Sequence, residues 1–462
     1  MSLLTALLDR NVQTFEQAFG VKDVTSGPMA RAIKEWFRLY YNGPEDERED
    51  DCQRLPYVIV NKLTKTVFAE YAAGVRGQGP KARFMADVLE KADALKREAL
   101  QQALIGGEMF IKPVMGPGGL ELLAVRRDRF IPLERGADGR ITSVGTAEAT
   151  RYGGAWYTLL ERRTVRQGWL TGENKLYRAR DADTLGEPVP LQALEKYAAL
   201  QPETTLPEPI GNLGMAALKT PMFNCVDGSA DGVAVYAPAV KLIRHIAVNE
   251  QQLNDEFENG RSRIFVSDDL LETDGQGPGR FTGKVFTGID DNPGDVGVSI
   301  FSPALREASY LARKTEYLRN IESLIGFKRG ILSEVEAAER TATEITSSEG
   351  DYNLTIQDFQ RMWERTLREL LATCDALGRL YGLCDRTPFD VQKDLTVDWG
   401  NGVLFDADKE GGRLMQMVQA GLLKPEIAVA YQYDLPWDTP EAVAYIRQTY
   451  MPEIESMLAG GE

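Results

Sequence analysis

Apolar positions at helical spacing dominate the first hundred residues of the chain. They recur across residues 30–40 and 57–73, and most regularly across 84–105, where Gly106 and Gly107 form a stop signal. The acidic run at 45–51 separates the first two of these stretches. The pattern therefore predicts three helices before the chain changes character.

The pattern then shortens to the alternation that is typical of β-strands. Turn signals, among them Asp138-Gly139 and Gly153-Gly154, separate the short segments. The predicted strands cover residues 108–114, 120–126, 141–146, 156–161 and 164–170. These features predict an antiparallel meander, followed by an irregular stretch at 192–208.

Two long helical patterns of matched length follow. The first begins at Pro238, ends at Asn259-Gly260, and has the apolar residues Leu242, Ile246, Leu253 and Phe257. The second follows Pro303; its predicted buried face is Ala304, Ala308, Leu311, Leu318, Ile321 and Ile325. Its predicted polar face is Arg306, Glu307, Arg313, Lys314, Glu316, Arg319 and Glu322. Between them, predicted strands at 263–266, 284–287 and 296–301 and a glycine-rich loop at 274–279 form a small insert. The pattern predicts that the two long helices form a stalk and that the insert between them forms its tip.

The remaining sequence is mostly helical. After a mixed-charge segment at 326–340, a long helix is predicted from Thr343, with Gly350 as a kink point. A strand at 395–399 and helical stretches after Asp406, Pro425 and Pro440 complete the chain. The predicted fold class is α+β.

Composition narrows the functional classes. The 462 residues contain 53 lysines and arginines against 69 aspartates and glutamates, a net charge of −16. Such a chain does not grip DNA tightly through its phosphates, although it could surround DNA and let it slide. No apolar run is long enough to predict a membrane span, and the N-terminus does not resemble a signal peptide.

Few residues are suited to carry chemistry. The single histidine, His245, disfavours catalytic triads and multi-histidine metal sites, and we interpret it as structural. The cysteines, at 52, 225, 374 and 384, lack metal or redox spacing and predict small buried thiols in a reducing compartment. The glycine-rich loop lacks a phosphate-binding motif, and residues 227–232 lack the ligands of a calcium loop. We expect no catalytic residue, cofactor or metal.

Five stretches stand out in their order along the chain: 129–132 with 138–141, 232–236 with 255–257 and 263–266, Phe301 and 305–306 with 324–326, Thr341-Ala342-Thr343-Glu344-Ile345 with Ser347 and Ser348, and 397–399 with 420–423. These stretches and the order of the elements resemble tailed-bacteriophage portal proteins, in particular the portal or minor-capsid family of siphophages that infect Gram-positive bacteria. The resemblance extends over most of the chain. The segment at 327–332 departs from the family pattern because it lacks the usual proline after the glycine.

The resemblance implies a phage portal fold with a mixed α/β wing, a helical stem, a small α/β clip and a helical crown. Residues 1–237 would form the N-terminal helices and wing, 238–260 and 304–326 the two stem helices, and 261–303 the clip. A tunnel loop would occupy 327–342, a long kinked helix and wing strand 343–400, and the crown 401–462.

The same resemblance implies a function without enzymatic activity. A ring of about twelve copies would sit at a unique capsid vertex of the virion, after assembly in the host cytoplasm. It would form the channel for packaging and ejection of double-stranded DNA, bound without sequence specificity. Its other partners would be the terminase large subunit, scaffold and major capsid proteins, and a head–tail connector, with no membrane involved.

Basic residues mark two candidate sites under this interpretation. Lys328, Arg329 and Arg340 would face DNA from the tunnel loop, and Arg261, Arg263, Arg280 and Lys284 would contribute to docking of the packaging motor on the clip. Two other functional classes remain open: a non-viral helical scaffold or adaptor, and a soluble enzyme that uses carboxylates.

Overall fold

A computed structural model describes most of the chain. The residues described are 15–41, 54–116, 119–181, 184–260, 263–266, 298–301, 304–333, 342–387, 389–400, 414–433, 435–437 and 439–450. The chain divides into an N-terminal unit, Met1–Asp398, and a C-terminal unit, Trp399–Glu462. Both helices and strands contribute heavily, which confirms the predicted α+β class.

The elements of the N-terminal unit are as follows. Its helices are α1 (Gly27–Tyr41), α2 (Leu55–Val67), α3 (Pro80–Gly106), α4 (Val240–Asn259), α5 (Glu307–Ile325), α6 (Ala342–Leu380) and α7 (Val391–Asp394). Its strands are β1 (Ala72–Val75), β2 (Glu108–Gly116), β3 (Gly119–Val125), β4 (Phe130–Arg135), β5 (Ile141–Tyr152), β6 (Ala155–Arg166), β7 (Trp169–Ala179), β8 (Glu187–Val189), β9 (Glu203–Thr205), β10 (Ala216–Lys219), β11 (Arg263–Val266), β12 (Val298–Phe301) and β13 (Leu395–Asp398).

The predicted antiparallel meander is confirmed only in part. The predicted strands at 141–146 and 156–161 lie in it as β5 and β6, whereas those at 108–114 and 120–126 form β2 and β3 of a separate sheet, and β4 and β8 are not among the predicted strands. Strands β4 to β8 pair in sequence order, all antiparallel, and β9 adds to the free part of β7. The predicted strand at 164–170 is wrong because a hairpin turn divides it. Gln167 and Gly168 both have positive φ, and this conformation matches the twist of the flanking strands β6 and β7.

A smaller sheet lies between the meander and the helices. Its order is β10-β2-β3, and α3 packs against it. Phe110 of β2 meets Phe130 of β4 edge to face, with ring centroids 4.8 Å apart, and both rings are buried with Val144 and Met215. This apolar contact joins the two sheets into one core.

The helix predicted at 57–73 is shorter than expected. It ends at Val67, and Ala72–Val75 instead forms strand β1, which pairs antiparallel with β13. Thr396 donates its hydroxyl to the Gly74 carbonyl across this pair, at 3.0 Å. A partner more than 300 residues away decides the conformation here, and local helical spacing could not reveal it.

The root of the long helix α4 is clamped into the body of the N-terminal unit. Gly107 has a φ of 85°, and a β-carbon added there would lie 2.2 Å from the Gly232 carbonyl oxygen. The Val235 amide donates to the Leu104 carbonyl, and the buried Tyr236 hydroxyl donates to the Trp36 carbonyl. The two glycines therefore permit a close backbone crossing that fixes where α4 begins.

The C-terminal unit is helical where it is described. Residues 414–419 are helical, and α8 (Pro425–Gln432) and α9 (Pro440–Tyr450) contact each other. The proline starts of α8 and α9 confirm the predicted helical stretches after Pro425 and Pro440.

The cysteine prediction holds only in part. Cys374 is buried on α6 and Cys384 is half-buried, but Cys225 is exposed, so the prediction of a buried thiol is wrong there. Cys225 belongs to a tight polar turn in which the Val226 amide and the Asp227 side chain both bond to Asn224. Cys52 lies outside the described residues.

Candidate functional site

Helices α4 and α5 form an antiparallel hairpin, which is the predicted stalk. The side-chain amide of Asn249 donates to the Tyr310 carbonyl, and Glu256, further toward the C-terminus of α4, pairs with Arg306, which lies nearer the N-terminus than Tyr310. The two helices therefore run in opposite directions. At the far end, β11 pairs antiparallel with β12, from Arg263 opposite Phe301 to Val266 opposite Val298. Each helix of about twenty residues is roughly 30 Å long.

Burial is confined to the half of the hairpin nearest its root. Ile243 and Ile246 of α4 and Leu318 and Ile321 of α5 are buried. None of the described residues 250–260 and 304–317 is buried. The predicted apolar face of α5 is therefore wrong at Ala304, Ala308 and Leu311, which are exposed.

The distal half, defined here as residues 250–260 and 304–317, nevertheless exposes large apolar side chains. Phe257 is 43% exposed and Leu311 is 45% exposed. Phe257 follows Glu250 by about two turns of α4, and Leu311 precedes Lys314 by about one turn of α5. Because Glu250 pairs with Lys314, both apolar side chains lie on the side of that ion pair. Leu305 is also exposed. Burying a fully exposed side chain of this size contributes about 1.5–3 kcal/mol, so covering the exposed fraction of Phe257 or of Leu311 would contribute roughly 1 kcal/mol. This half of the hairpin therefore presents a surface that would gain stability from a neighbouring molecule.

Ion pairs hold the two helices together where apolar packing is missing. Arg306 donates to both carboxylate oxygens of Glu256, and its backbone amide donates to the same group at 2.7 Å. These bonds lower the pKa of Glu256 from its ordinary value of 4.5 to about 2. Lys314 pairs with Glu250 at 3.1 Å, about two turns closer to the root.

The opposite side of the hairpin is aromatic and basic. A groove of about 510 Å³ runs between the helices, lined by His245, Val248, Tyr310, Arg313 and Tyr317 among others. Arg313 donates to the Tyr317 hydroxyl at 2.9 Å, and the His245 ring lies 5.7 Å from the Tyr317 ring. The packing of His245 on an aromatic ring agrees with the structural role that its sequence context predicts.

The segment after α5 is anchored by a buried carboxylate. Glu322 is fully buried, although the sequence pattern places it on the polar face of α5. Its Oε1 accepts the backbone amides of Gly330, Leu332 and Ser333, and its Oε2 accepts the Ser333 hydroxyl at 2.8 Å. The carboxylate thus folds residues 330–333 back onto the helix.

Two further contacts fix the turn between helix and segment. Gly326 ends α5 in the left-handed conformation, and a β-carbon there would lie 2.5 Å from Thr355 of α6. The next residue, Phe327, is buried and meets the Tyr352 ring edge to face at 5.9 Å. The start of the predicted tunnel loop is therefore held against α6.

Three of the seven basic residues predicted for the tunnel loop and the clip lie within the described part of the chain. Lys328 is half-buried and Arg329 is exposed, and both belong to the turn that Glu322 anchors. Arg263 is placed on β11 by its backbone. Arg261, Arg280, Lys284 and Arg340 lie outside the described residues. Of the two predicted sets of basic residues, the structure therefore describes the side chains of Lys328 and Arg329, which lie on the same turn, and the backbone position of Arg263.

Among the described residues, no group of three or more His, Cys, Asp or Glu side chains could hold a metal ion. Within the same part of the chain, no helix is both long and apolar enough to cross a membrane. Comparison with known proteins gives no match, either to any protein-family model or to any curated sequence.

Proposed function

We propose that this chain is a portal protein, which assembles into a ring around a central channel for double-stranded DNA. In this proposal α4 and α5 are the stem helices, the segment from 261 to 303 is the clip, and residues 327–342 form the tunnel loop. The ring would sit at one capsid vertex, where terminase and a head–tail connector dock on the clip.

The observation that carries the proposal is the incomplete packing of the hairpin. Its root is clamped into the body, while its distal half has no buried residue and exposes Phe257, Leu305 and Leu311. An isolated pair of helices with this pattern lacks the packing that stabilises helices in proteins. Identical hairpins arranged side by side around an axis would supply that packing.

Charge supports the same proposal. A net charge of −16 per copy repels DNA from most of the surface. Arg329 and Lys328 lie on a turn that two helices and a buried carboxylate position. Such cations offer brief, sequence-independent phosphate contacts in an otherwise repulsive channel.

The proposal is tested by charging the distal surface of the hairpin. The double substitution F257E and L311E places two carboxylates on side chains that are already exposed in the single chain, so folding should persist. We expect native mass spectrometry to show rings for the wild type and monomers for the double variant. The control is F223E, which charges an aromatic side chain that is 84% exposed elsewhere and should leave assembly unchanged.

Two results would favour the other functional classes. A helical scaffold or adaptor predicts no closed ring for the wild type, and the F257E and L311E variant would then match it in mass. An enzyme predicts turnover of a small molecule by the purified protein.

A further inference from the structure

The C-terminal unit has very little core of its own. Of the apolar side chains in its described part, only Ala430 and Ile446 are buried. Seven large apolar side chains in the same part are exposed: Met415, Leu422, Tyr431, Tyr433, Trp437, Tyr445 and Tyr450. Isolated aromatic side chains on a surface are ordinary, but a cluster of this size marks an interaction surface.

The exposed aromatic side chains occur on two sides of helix α9. On one side, a concave surface of about 710 Å³ is lined by Trp437, Pro440, Val443, Ala444 and Arg447, among others; we call it the Trp437 depression. The residues that line it are mostly small or apolar. Arg447, its single charged residue, is paired with Glu426.

The second side carries a ridge of tyrosines. The rings of Tyr433 and Tyr450 lie 5.2 Å apart, and those of Tyr445 and Tyr450 lie 6.2 Å apart; we call these three residues the tyrosine ridge. At 3.6 residues per turn, Tyr445 lies roughly 130° around α9 from the centre of the Trp437 depression. One copy therefore presents two apolar surfaces, the tyrosine ridge and the Trp437 depression, in different directions.

The composition of the two surfaces matches that of protein–protein interface cores. Such cores are enriched in Tyr, Trp, Met and Arg and depleted in Lys, Glu and Asp. The three tyrosines of the ridge are 40–59% exposed, which corresponds to roughly 230–380 Å². A standard interface buries about 800 Å² on each partner, so the ridge would supply part of one side of such an interface.

We propose that the tyrosine ridge of one copy inserts into the Trp437 depression of the next copy. Because the two surfaces differ and face different directions, the contact is head-to-tail, and repeating it generates a ring when the rotation closes. The one charged residue that lines the depression, Arg447, is paired with Glu426, so the inserted ridge would meet no unpaired charge there. This inference rests on the proposed ring and adds to it a second contact, made by the C-terminal unit.

The test uses two full-length variants. Y445E charges the ridge and A444E charges the depression; both side chains are exposed in the single chain, and circular dichroism confirms that each variant folds. Mass photometry over a dilution series measures the concentration at which rings dissociate. We expect each variant to need at least tenfold more protein than the wild type to form rings. The control Y152E charges a tyrosine that is 63% exposed in the N-terminal unit and should match the wild type.

Mixing the two variants gives the sharpest result. A444E retains an intact ridge and Y445E an intact depression, so a 1:1 mixture can form half of the normal C-terminal contacts. We expect the mixture to form rings at a lower concentration than either variant alone. Rings of both variants as stable as wild type would overturn the inference and leave the portal proposal standing. Failure of the wild type itself to form rings would overturn both.

If either glutamate variant is misfolded, Y445Q and A444Q replace them in the same series. Loss of assembly in Y445E with wild-type assembly in A444E would also contradict the head-to-tail contact, because a symmetric ridge-to-ridge contact gives that result.

Discussion

Glu322 is the residue on which the geometry of the predicted tunnel loop depends. A buried carboxylate needs its lone pairs satisfied, and here three backbone amides and one hydroxyl from residues 330–333 satisfy them. Removing its charge should release the segment that carries Lys328 and Arg329.

We therefore predict that E322Q lowers the free energy of unfolding by about 2 kcal/mol and speeds hydrogen exchange at the amides of 330–333. Urea denaturation and hydrogen-exchange mass spectrometry measure the two effects. The control E316Q changes an exposed glutamate on the same helix and should stay within about 0.5 kcal/mol of wild type. Equal exchange in both variants would show that Glu322 does not anchor the segment.

A second prediction concerns the backbone crossing at the root of α4. G107A forces a β-carbon to within 2.2 Å of the Gly232 carbonyl oxygen at a positive φ, so we expect a loss of about 3 kcal/mol or more in stability. G79A is the matched control, because no atom lies within 4 Å of its β-carbon and its φ is negative. Thermal unfolding of both variants measures the difference, and equal melting temperatures would contradict the crossing.

At the scale of elements, local patterns predict helices and strands well where the partner is close in sequence. The spacing of apolar residues places α3, α4 and α6 within a few residues of their observed bounds. Strand β1 and the burial of Glu322 could not be predicted, because β13 and the 330–333 amides supply their partners through tertiary contacts. The sequence also does not show that the distal hairpin lacks a core, since its apolar spacing is that of a buried helix.

The stability of the distal half of the hairpin should depend on pH in the acidic range. Arg306 lowers the pKa of Glu256 from 4.5 to about 2. The pair formed by these two residues therefore stabilises the folded hairpin fully above pH 4.5. This stabilisation is lost as the pH falls through about 2 and the carboxylate is protonated. Hydrogen exchange at the amides of 250–259, corrected for intrinsic rates, should be faster in E256Q than in wild type at pH 6.

The difference between wild type and E256Q should vanish as the pH approaches 2. E258Q, two residues away on the exposed side, serves as the control and should behave like wild type throughout. A difference that persists unchanged at pH 2 would show that Glu256 acts through something other than its charge.

At the scale of the whole molecule, the acidic chain and its few positioned cations predict weak contact with moving DNA. Neutralising Lys328, Arg329 and Arg340 together should lower the yield of nuclease-protected DNA in assembled particles, because the contacts that guide the duplex are removed. The control neutralises three exposed cations of the N-terminal unit, Lys62, Lys65 and Arg76. An unchanged yield in the first variant would exclude the proposed role of the loop.

The proposed function requires copies of this chain to form a ring around a channel. Negative-stain electron microscopy of the purified full-length protein tests it most directly, with mass photometry of the same sample to count subunits. We expect rings of about twelve copies with an open central hole. A stable dimer, or a small closed oligomer without a channel, would contradict it.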